Sequence, residues 1–166
     1  MGVQIIDATV ADIPEVQRLA HVIWYAHYPG IISTAQITYM LERGYATAAL
    51  TEFVIRPDAG LLLAVDDGER IGFAAWYLTD DQHEAKLDKL YVLPSYHGQG
   101  IGHALIEQVV AQARTTGAIT LIVRVNKANS KAIAAYERTG FSKREALVEE
   151  IGQGFVMDDY LLARPL

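Results

Sequence analysis

The chain contains no cysteine. Disulfides, thiolate metal sites and a cysteine nucleophile are therefore excluded, while the redox compartment stays unconstrained. No dense run of Lys or Arg occurs, and the formal net charge is -6. That argues against nucleic acid or an anionic membrane as the main partner and mildly favours cationic ligands. The longest apolar run, Ala59 to Val65, falls far short of the roughly 20 residues a membrane span needs. The five histidines match neither HExxH nor another ligand spacing, so no metal is expected. No signal-peptide pattern opens the chain, and Ile6 breaks the myristoylation motif after Gly2. A cytoplasmic protein is the expectation.

What is present fits one domain over residues 1–166, long enough for a real core. Apolar residues make up 51% and charged residues 20%, which suits a soluble domain built on a buried sheet. A first strand is expected over Val3 to Ala8. Asp12 as N-cap and Pro14 in the first turn start a helix that Pro29-Gly30 stops near Tyr28. Ser33-Thr34-Ala35-Gln36 reads as a capping box for a second helix, and a third runs from about Thr47 to Ile55. Strands follow over Leu61 to Asp66 and Arg70 to Leu78, with Asp67-Gly68 as a hairpin turn between them. A polar loop, Thr79 to His83, leads to a strand from Glu84 to Val92. After it come a helix, the strand Ile119 to Val125, a helix, a strand, a turn at Gly152-Gln153-Gly154 and a last strand around Phe155 to Leu162. Strands alternating with helices, plus a terminal hairpin, give a mixed α/β sheet.

One stretch organises the rest. Leu90-Tyr91-Val92-Leu93 is an apolar strand that breaks at Pro94; glycines follow at 98, 100 and 102, and then a helix begins. That helix carries Leu105, Ile106, Val109, Val110 and Ala113 on one face. Alternate glycines let the backbone approach a ligand closely. The amides that open the helix lack partners within it, and the helix dipole adds positive potential there. The expected ligand is a phosphate or pyrophosphate. A P-loop is excluded, because His103-Ala104 stands where GK[ST] is required. A dinucleotide fold would need GxGxxG and an acid at the end of the next strand. Here the third glycine falls one residue early, and that strand ends at neutral Asn126.

His97-Gly98-Gln99-Gly100-Ile101-Gly102 resembles the [Q/R]xxGx[G/A] signature of the GNAT superfamily of acyl-CoA-dependent N-acetyltransferases, with His97 in the usual Gln/Arg position. Leu90-Tyr91-Val92-Leu93-Pro94 resembles the strand before that loop. The segment from Asn129 to Phe141 resembles the family's later NxxAxxxYxxxGF segment. The resemblance implies a sheet whose two central parallel strands, here Glu84 to Val92 and Ile119 to Val125, splay apart to admit the pantetheine arm of acetyl-CoA. It implies cofactor contacts at Leu90, Tyr91, Val92, His97, Gly98, Gln99, Gly100, Ile101, Gly102, His103, Asn129 and Tyr136. It further implies that Tyr136 protonates the leaving thiolate, that the backbone N–H of Val92 or its neighbour serves as oxyanion donor, and that the first two helices flank the acceptor. Asn129 is also a plausible N-cap alone, and Tyr136 a plausible core residue.

The acceptor side follows from the reaction. An amine with a pKa of about 10.4 is neutral in only about one molecule in 2,500 at pH 7, so a base or a water relay is needed. Asp88 shares an alternation face with Leu90 and is the first choice of base; Glu84 is the second. Lys86 stands where many relatives are said to carry a glutamate. His21, Trp24, Tyr25 and Tyr28 share one helix face, read either as core or as a substrate wall. Trp24, Tyr25 and Tyr28 are the expected substrate contacts. The ending from Gly154 to Tyr160 resembles the tail of a GNAT subgroup that includes polyamine acetyltransferases of the PaiA type. With the acidic charge, this suggests a small polyamine acceptor. A peptide or antibiotic amine, a catalytically silent acyl-CoA-binding module and another nucleotide binder are the alternatives. A homodimer is left open.

Overall fold

The computed structural model describes residues 2–81 and 83–166; Met1, and Gln82 in the loop expected over Thr79 to His83, lie outside the described residues. The order is β1 (Val3–Asp7), α1 (Ile13–His27), α2 (Thr34–Gly44), α3 (Thr47–Ile55), β2 (Ala59–Asp66) and β3 (Glu69–Leu78). It continues through β4 (Glu84–Val92), α4 (Ile101–Thr115), β5 (Thr120–Asn126), α5 (Ser130–Arg138), β6 (Ser142–Gly152) and β7 (Phe155–Pro165). Among the described residues the strands form one seven-stranded sheet in the order β1-β2-β3-β4-β5-β7-β6. Both expected hairpin turns form. Asp67 and Gly68 take φ of 49° and 84°, and Gln153 and Gly154 take 53° and 79°, the paired positive φ values that match the twist of the flanking strands.

Two apolar layers cover the sheet. On one face α4 buries Leu105, Ile106, Val109, Val110 and Ala113 against Leu62, Ala74, Trp76, Leu87 and Leu121. On the other, α1 to α3 bury Val16, Leu19, Ile23, Trp24, Ile37 and Leu50 against Leu61, Leu63, Phe73 and Ala75. Burial on both faces explains why β2 and β3 read as near-continuous apolar runs rather than as clean alternation.

Two local devices depart from the sequence reading. Asp12 stands at the N-cap position of α1 but does not cap it. Its carboxylate accepts from the N–H (2.9 Å) and hydroxyl (3.2 Å) of Thr9 and from Arg70 (2.9 Å), closing the preceding 3-10 turn. Ser33 caps α2 by accepting from Gln36 N–H at 3.1 Å. The other half of the expected box is absent, because the Gln36 amide donates to Val156 O at 2.8 Å. Tyr39 likewise donates to Ile151 O at 2.7 Å. The hydrogen bonds tie α2 to the β6–β7 hairpin across a long stretch of sequence.

The feature that positions the site is β4. It pairs with β5 in parallel only from Glu84 to Leu87, opposite Thr120 to Val123; beyond Leu87 the two strands part. Its pairing with β3 continues to Val92 but slips by one residue. Ala75 faces Lys89 and Trp76 faces Leu87, so Asp88 has no partner and forms a β-bulge. The bulge exchanges the faces of everything after it. Ala85 and Leu87 lie toward α4, and Tyr91 packs on the opposite face with Trp24 and Phe73.

Candidate active site

The gap between β4 and β5 opens a cavity of about 920 Å³. One side of its floor is the glycine loop. Gly98 and Gly100 both take φ of 78°, and a Cβ on either would meet nothing within 4 Å. Gly100 is the N-cap of α4 and offers no side chain to its first amides. The intrahelical ladder starts only at Ala104, whose N–H bonds to Gly100 O, so the N–H groups of Ile101, Gly102 and His103 open the helix without partners in it. Open space above unpaired amides at the start of a 15-residue helix suits a pyrophosphate.

The wall of the gap offers backbone. Leu93 N–H bonds to Ile71 O at 2.9 Å, so Gly72 and Val92 form a non-hydrogen-bonded pair of the β3–β4 ladder. The N–H and C=O of Val92 therefore turn toward the gap, where β5 has already left. The ring of His97 donates from Nε2 to Val92 O at 2.9 Å. The histidine in the Gln/Arg position thus holds the loop to the strand end. Val92 N–H stays available.

Of the expected cofactor contacts, Leu90, Tyr91, Val92, His97, Gly98, Gly100, Ile101, Gly102, His103, Asn129 and Tyr136 line the cavity, and Gln99 does not. Asn129 is the N-cap of α5. Its Oδ1 accepts from Ala132 N–H at 3.4 Å and lies 3.2 Å from His27 Nε2. The ring of Tyr136 meets Phe141 edge-on at 5.4 Å. Burial pushes the Tyr136 phenol far above the ordinary tyrosine range, with Tyr28 adding to it. A phenol so placed stays protonated at neutral pH, the state a proton donor needs.

The part of the cavity beneath α1 and α2 differs from expectation in four ways. Trp24 and Tyr28 line it, but Tyr25 does not: its hydroxyl bonds Thr38 on the outer side of α2. Trp24 is 6% exposed and packs against the rings of Tyr28, Tyr45 and Tyr91 at 4.6, 5.9 and 5.6 Å, tilted on Tyr28 and Tyr91 and edge-on to Tyr45, so it is a core pillar as well as a wall. Glu84 sits at the paired end of β4, bonded to Arg144 at 2.6 Å, and stands outside the lining. Asp88 does not share a face with Leu90, because the bulge intervenes. Leu90 packs toward α4, whereas Asp88 joins Lys89 at 2.9 Å and Lys86 at 3.6 Å. Burial opposes ionisation of Asp88, yet the two ammonium groups outweigh it and hold the carboxyl below its ordinary range.

Tyr45, Lys89, Arg124 and Asp159 also line the cavity and were not among the expected site residues. Tyr45 is buried with its hydroxyl unpartnered among the described residues. Lys89 lies over its ring at 4.6 Å, a cation–π contact that keeps a buried ammonium beside aromatic faces. Arg124 on β5 and Asp159 on β7 face each other at 3.3 Å. Asp158 and Asp159, alike in sequence, are opposites in space. Asp158 is exposed and pairs with Lys127 at 2.6 Å, while Asp159 is 3% exposed. The signal was present in the alternation Phe155, Met157, Asp159, Leu161, which puts Asp159 on the inward face of the last strand.

The fold that carries this geometry is shared with known proteins. A model of the acetyltransferase (GNAT) family matches residues 23–141, and the chain belongs to that family, whose members are N-acetyltransferases that draw the acetyl group from acetyl-CoA. An uncharacterized N-acetyltransferase of Mycobacterium bovis is 31% identical over 138 residues, covering 83% of this chain and 87% of that one. A mycothiol acetyltransferase of Salinispora tropica is 37% identical over 95 residues, which span only 31% of that longer protein. Among solved structures, the PaiA N-acetyltransferase of Thermoplasma acidophilum, in complex with coenzyme A, superimposes with a TM-score of 0.85 over the whole of both chains at 23% identity. The shared fold is thus well established, and at that identity it carries no substrate. Among the described residues no helix is long and apolar enough to cross a membrane.

Proposed function

We propose that residues 1–166 act as one domain that moves an acetyl group from acetyl-CoA to a small primary amine by direct attack in a ternary complex. The observation that carries this reading is the cavity itself. Its lining brings together Gly98, Gly100 and the open amides of Ile101, Gly102 and His103, then Val92 and Tyr136, and two carboxylates, Asp88 and Asp159, with the aromatic rings of Trp24, Tyr28 and Tyr45. Bound acetyl-CoA supplies an activated acyl carbon. The chain's part is to hold the pyrophosphate on Gly98, Gly100, Ile101, Gly102 and His103 and to offer Val92 N–H to a carbonyl oxygen. Tyr136 offers its phenolic proton to a sulfur leaving beside it. With no cysteine, the commonest covalent carrier is missing, which favours direct attack.

The chamber that holds these two carboxylates also bears on the acceptor. The acidic net charge and the tail suggest a polyamine. The lining, however, sets Lys86, Lys89 and Arg124 against Asp88 and Asp159. Fixed cations near an amine disfavour its ammonium form and so raise the share of neutral nucleophile. The same cations repel the further charges of a polyamine. The chamber therefore favours an acceptor with one amine to be acetylated over a polycation, with Trp24 and Tyr28 as its apolar walls.

The test is an amine panel with acetyl-CoA, read by thiol release. Spermidine, a lysine-containing peptide, an aminoglycoside and an aromatic monoamine are compared by kcat/KM. A monoamine ahead of spermidine supports the chamber reading, and spermidine ahead of every other amine restores the polyamine. CoA binding without turnover of any amine would make the chain a silent acyl-CoA-binding module.

A further inference from the structure

Two carboxylates line the acceptor chamber, and their surroundings differ. Asp88 is held by two ammonium groups, on Lys89 and Lys86. Asp159 is at least as deeply placed, yet its Oδ2 makes no hydrogen bond among the described residues. The nearest cation, Arg124 Nε, lies at 3.3 Å without hydrogen-bond alignment, and Arg124 is itself shared with Glu149. A buried carboxylate oxygen with no donor costs free energy unless something else supplies one. Its location says what that is. Asp159 pairs with Asn126 on β5, at the end where β5 has left β4. It also acts on Tyr28: burial raises that phenol, and the Asp159 charge raises it further. Tyr28 in turn bonds Tyr91 at 2.9 Å and acts on Tyr136. The Asp159 charge is thus felt at Tyr28, which bonds Tyr91 beside the gap.

We infer that Asp159, rather than Asp88, takes the proton of the acceptor amine: it is the buried carboxylate that lines the cavity beside the open end of the gap and has an oxygen without a hydrogen bond among the described residues. The inference rests on the N-acetyltransferase reading above. An ammonium entering the chamber gives one proton to the Asp159 carboxylate, and its nitrogen keeps the electron pair that forms the C–N bond as the C–S bond breaks. The thiolate takes a proton from Tyr136, the phenolate is reprotonated by the second proton of the nitrogen, and Asp159 returns its proton to solvent. One proton is released per acetyl transfer, as the overall reaction requires. The charged and titratable groups that act on Asp159 or feel its charge are Arg124 on β5, Lys86 on β4, Tyr28 after α1 and, from the opposite side of its own strand, Asp158. Burial pushes its carboxyl above the ordinary aspartate value, and Arg124 and Lys86 only partly offset this. Such a carboxylate is a better proton acceptor than Asp88, whose lysines hold it low.

The test compares Asp159→Asn with Asp88→Asn on the best amine of the panel. With Asp159 as base, wild-type kcat/KM falls on the acid side as Asp159 protonates. Asp159→Asn should lower kcat/KM about a hundredfold at pH 7. It should also replace that limb by a rise of about tenfold per pH unit up to the pKa of the amine, because only neutral amine then reacts. CoA affinity should hold in both variants, and Asp88→Asn, whatever its effect on the rate, should retain an acid limb that Asp159→Asn loses. Arg124→Gln removes a cation that favours the ionised carboxylate, so the acid limb should move to higher pH. Carbon-13 NMR of aspartate-labelled protein reads the same group without turnover. One carboxyl should titrate above the ordinary range, disappear in Asp159→Asn and move upward in Arg124→Gln. An unchanged profile in Asp159→Asn, or loss of the limb in Asp88→Asn, would overturn the inference. If Asp159→Asn fails to fold, an acid limb that stays in place in Arg124→Gln would do the same. A wild-type protein that acetylates no amine would instead defeat the acetyltransferase reading, and this inference with it.

Discussion

Gly100 is where the cofactor assignment is most exposed to test, because the two costs of replacing it separate cleanly. Its φ of 78° and ψ of 10° lie in the left-handed region, where a side chain costs about 1 to 2 kcal/mol of folding free energy. No other cost to the fold arises, since a Cβ there would meet nothing within 4 Å. For a chain of 166 residues, that penalty lowers Tm by roughly 2 to 8 °C. Binding should suffer more. A glutamate at this position puts a carboxylate over the open amides of Ile101, Gly102 and His103. Against a phosphate charge about 4 Å away, repulsion amounts to about 1 kcal/mol in water and about 4 kcal/mol near a protein surface. Gly100→Glu should therefore weaken CoA by about 5- to 1,000-fold, and Gly100→Ala, which adds bulk without charge, by less. Calorimetry gives the affinities, and thermal unfolding shows whether the protein is folded. A folded Gly100→Glu with CoA affinity within a factor of two of wild type would refute the pyrophosphate site.

Tyr136→Phe should lower kcat by at least about tenfold, with water as substitute acid, and leave acetyl-CoA affinity nearly unchanged; equal kcat with chemistry rate-limiting would reduce Tyr136 to packing against Phe141. Initial-rate lines for amine and acetyl-CoA should intersect, and parallel lines with an isolable acetyl-enzyme would overturn direct attack. Trp24→Ala should cost about 3 to 5 kcal/mol of stability, because the ring is a buried pillar among Tyr28, Tyr45 and Tyr91; an unchanged Tm would contradict that. The Thr9 N–H holds the Asp12 carboxyl below its ordinary value, with Arg70 helping against burial. Its stabilisation is therefore full above the unfolded-state pKa and lost as pH falls through the depressed one. The Tm difference between wild type and Asp12→Asn should be large at pH 7 and shrink toward pH 2, and a difference independent of pH would be inconsistent with this linkage.

Sequence reasoning placed the elements and the lining at the glycine-loop end of the cavity, and it stopped at the end proposed for the acceptor, for a physical reason. The cofactor end is local. Gly98, Gly100 and the start of α4 follow one another closely in the chain, and what they present to the cavity is backbone, so spacing alone describes them. Asn129 and the turns at Asp67-Gly68 and Gln153-Gly154 are local in the same sense. The acceptor end is assembled from β4, β5, β7 and the helices, and its chemistry depends on which charges meet. Asp88 and Lys89 are neighbours in sequence, but nothing in the sequence says that Lys86 joins them. Nor does it say that Glu84 is tied to Arg144, 60 residues away. Gln36 shows the same limit. Its spacing from Ser33 is that of a capping box, yet a distant carbonyl on β7 takes its amide.

The bulge at Asp88 explains why alternation failed where it mattered most. In unbroken alternation Ala85, Leu87, Lys89 and Tyr91 would share one face. That would put the Lys89 ammonium into the apolar layer beneath α4, among side chains that offer it no partner. Burial of an unpaired charge costs far more than one lost ladder position. The extra residue at 88 resolves the conflict. Ala85 and Leu87 stay against α4, while Lys89 turns to Asp88 and the Tyr45 ring, and Tyr91 turns to Trp24 and Tyr28. The bulge lies next to Leu87, the last residue of β4 that pairs with β5, and bulges bend the strand that carries them. The register change that saves a buried lysine is thus also placed to turn β4 away from β5. It opens the gap at the end where Val92, Tyr136 and Asp159 gather.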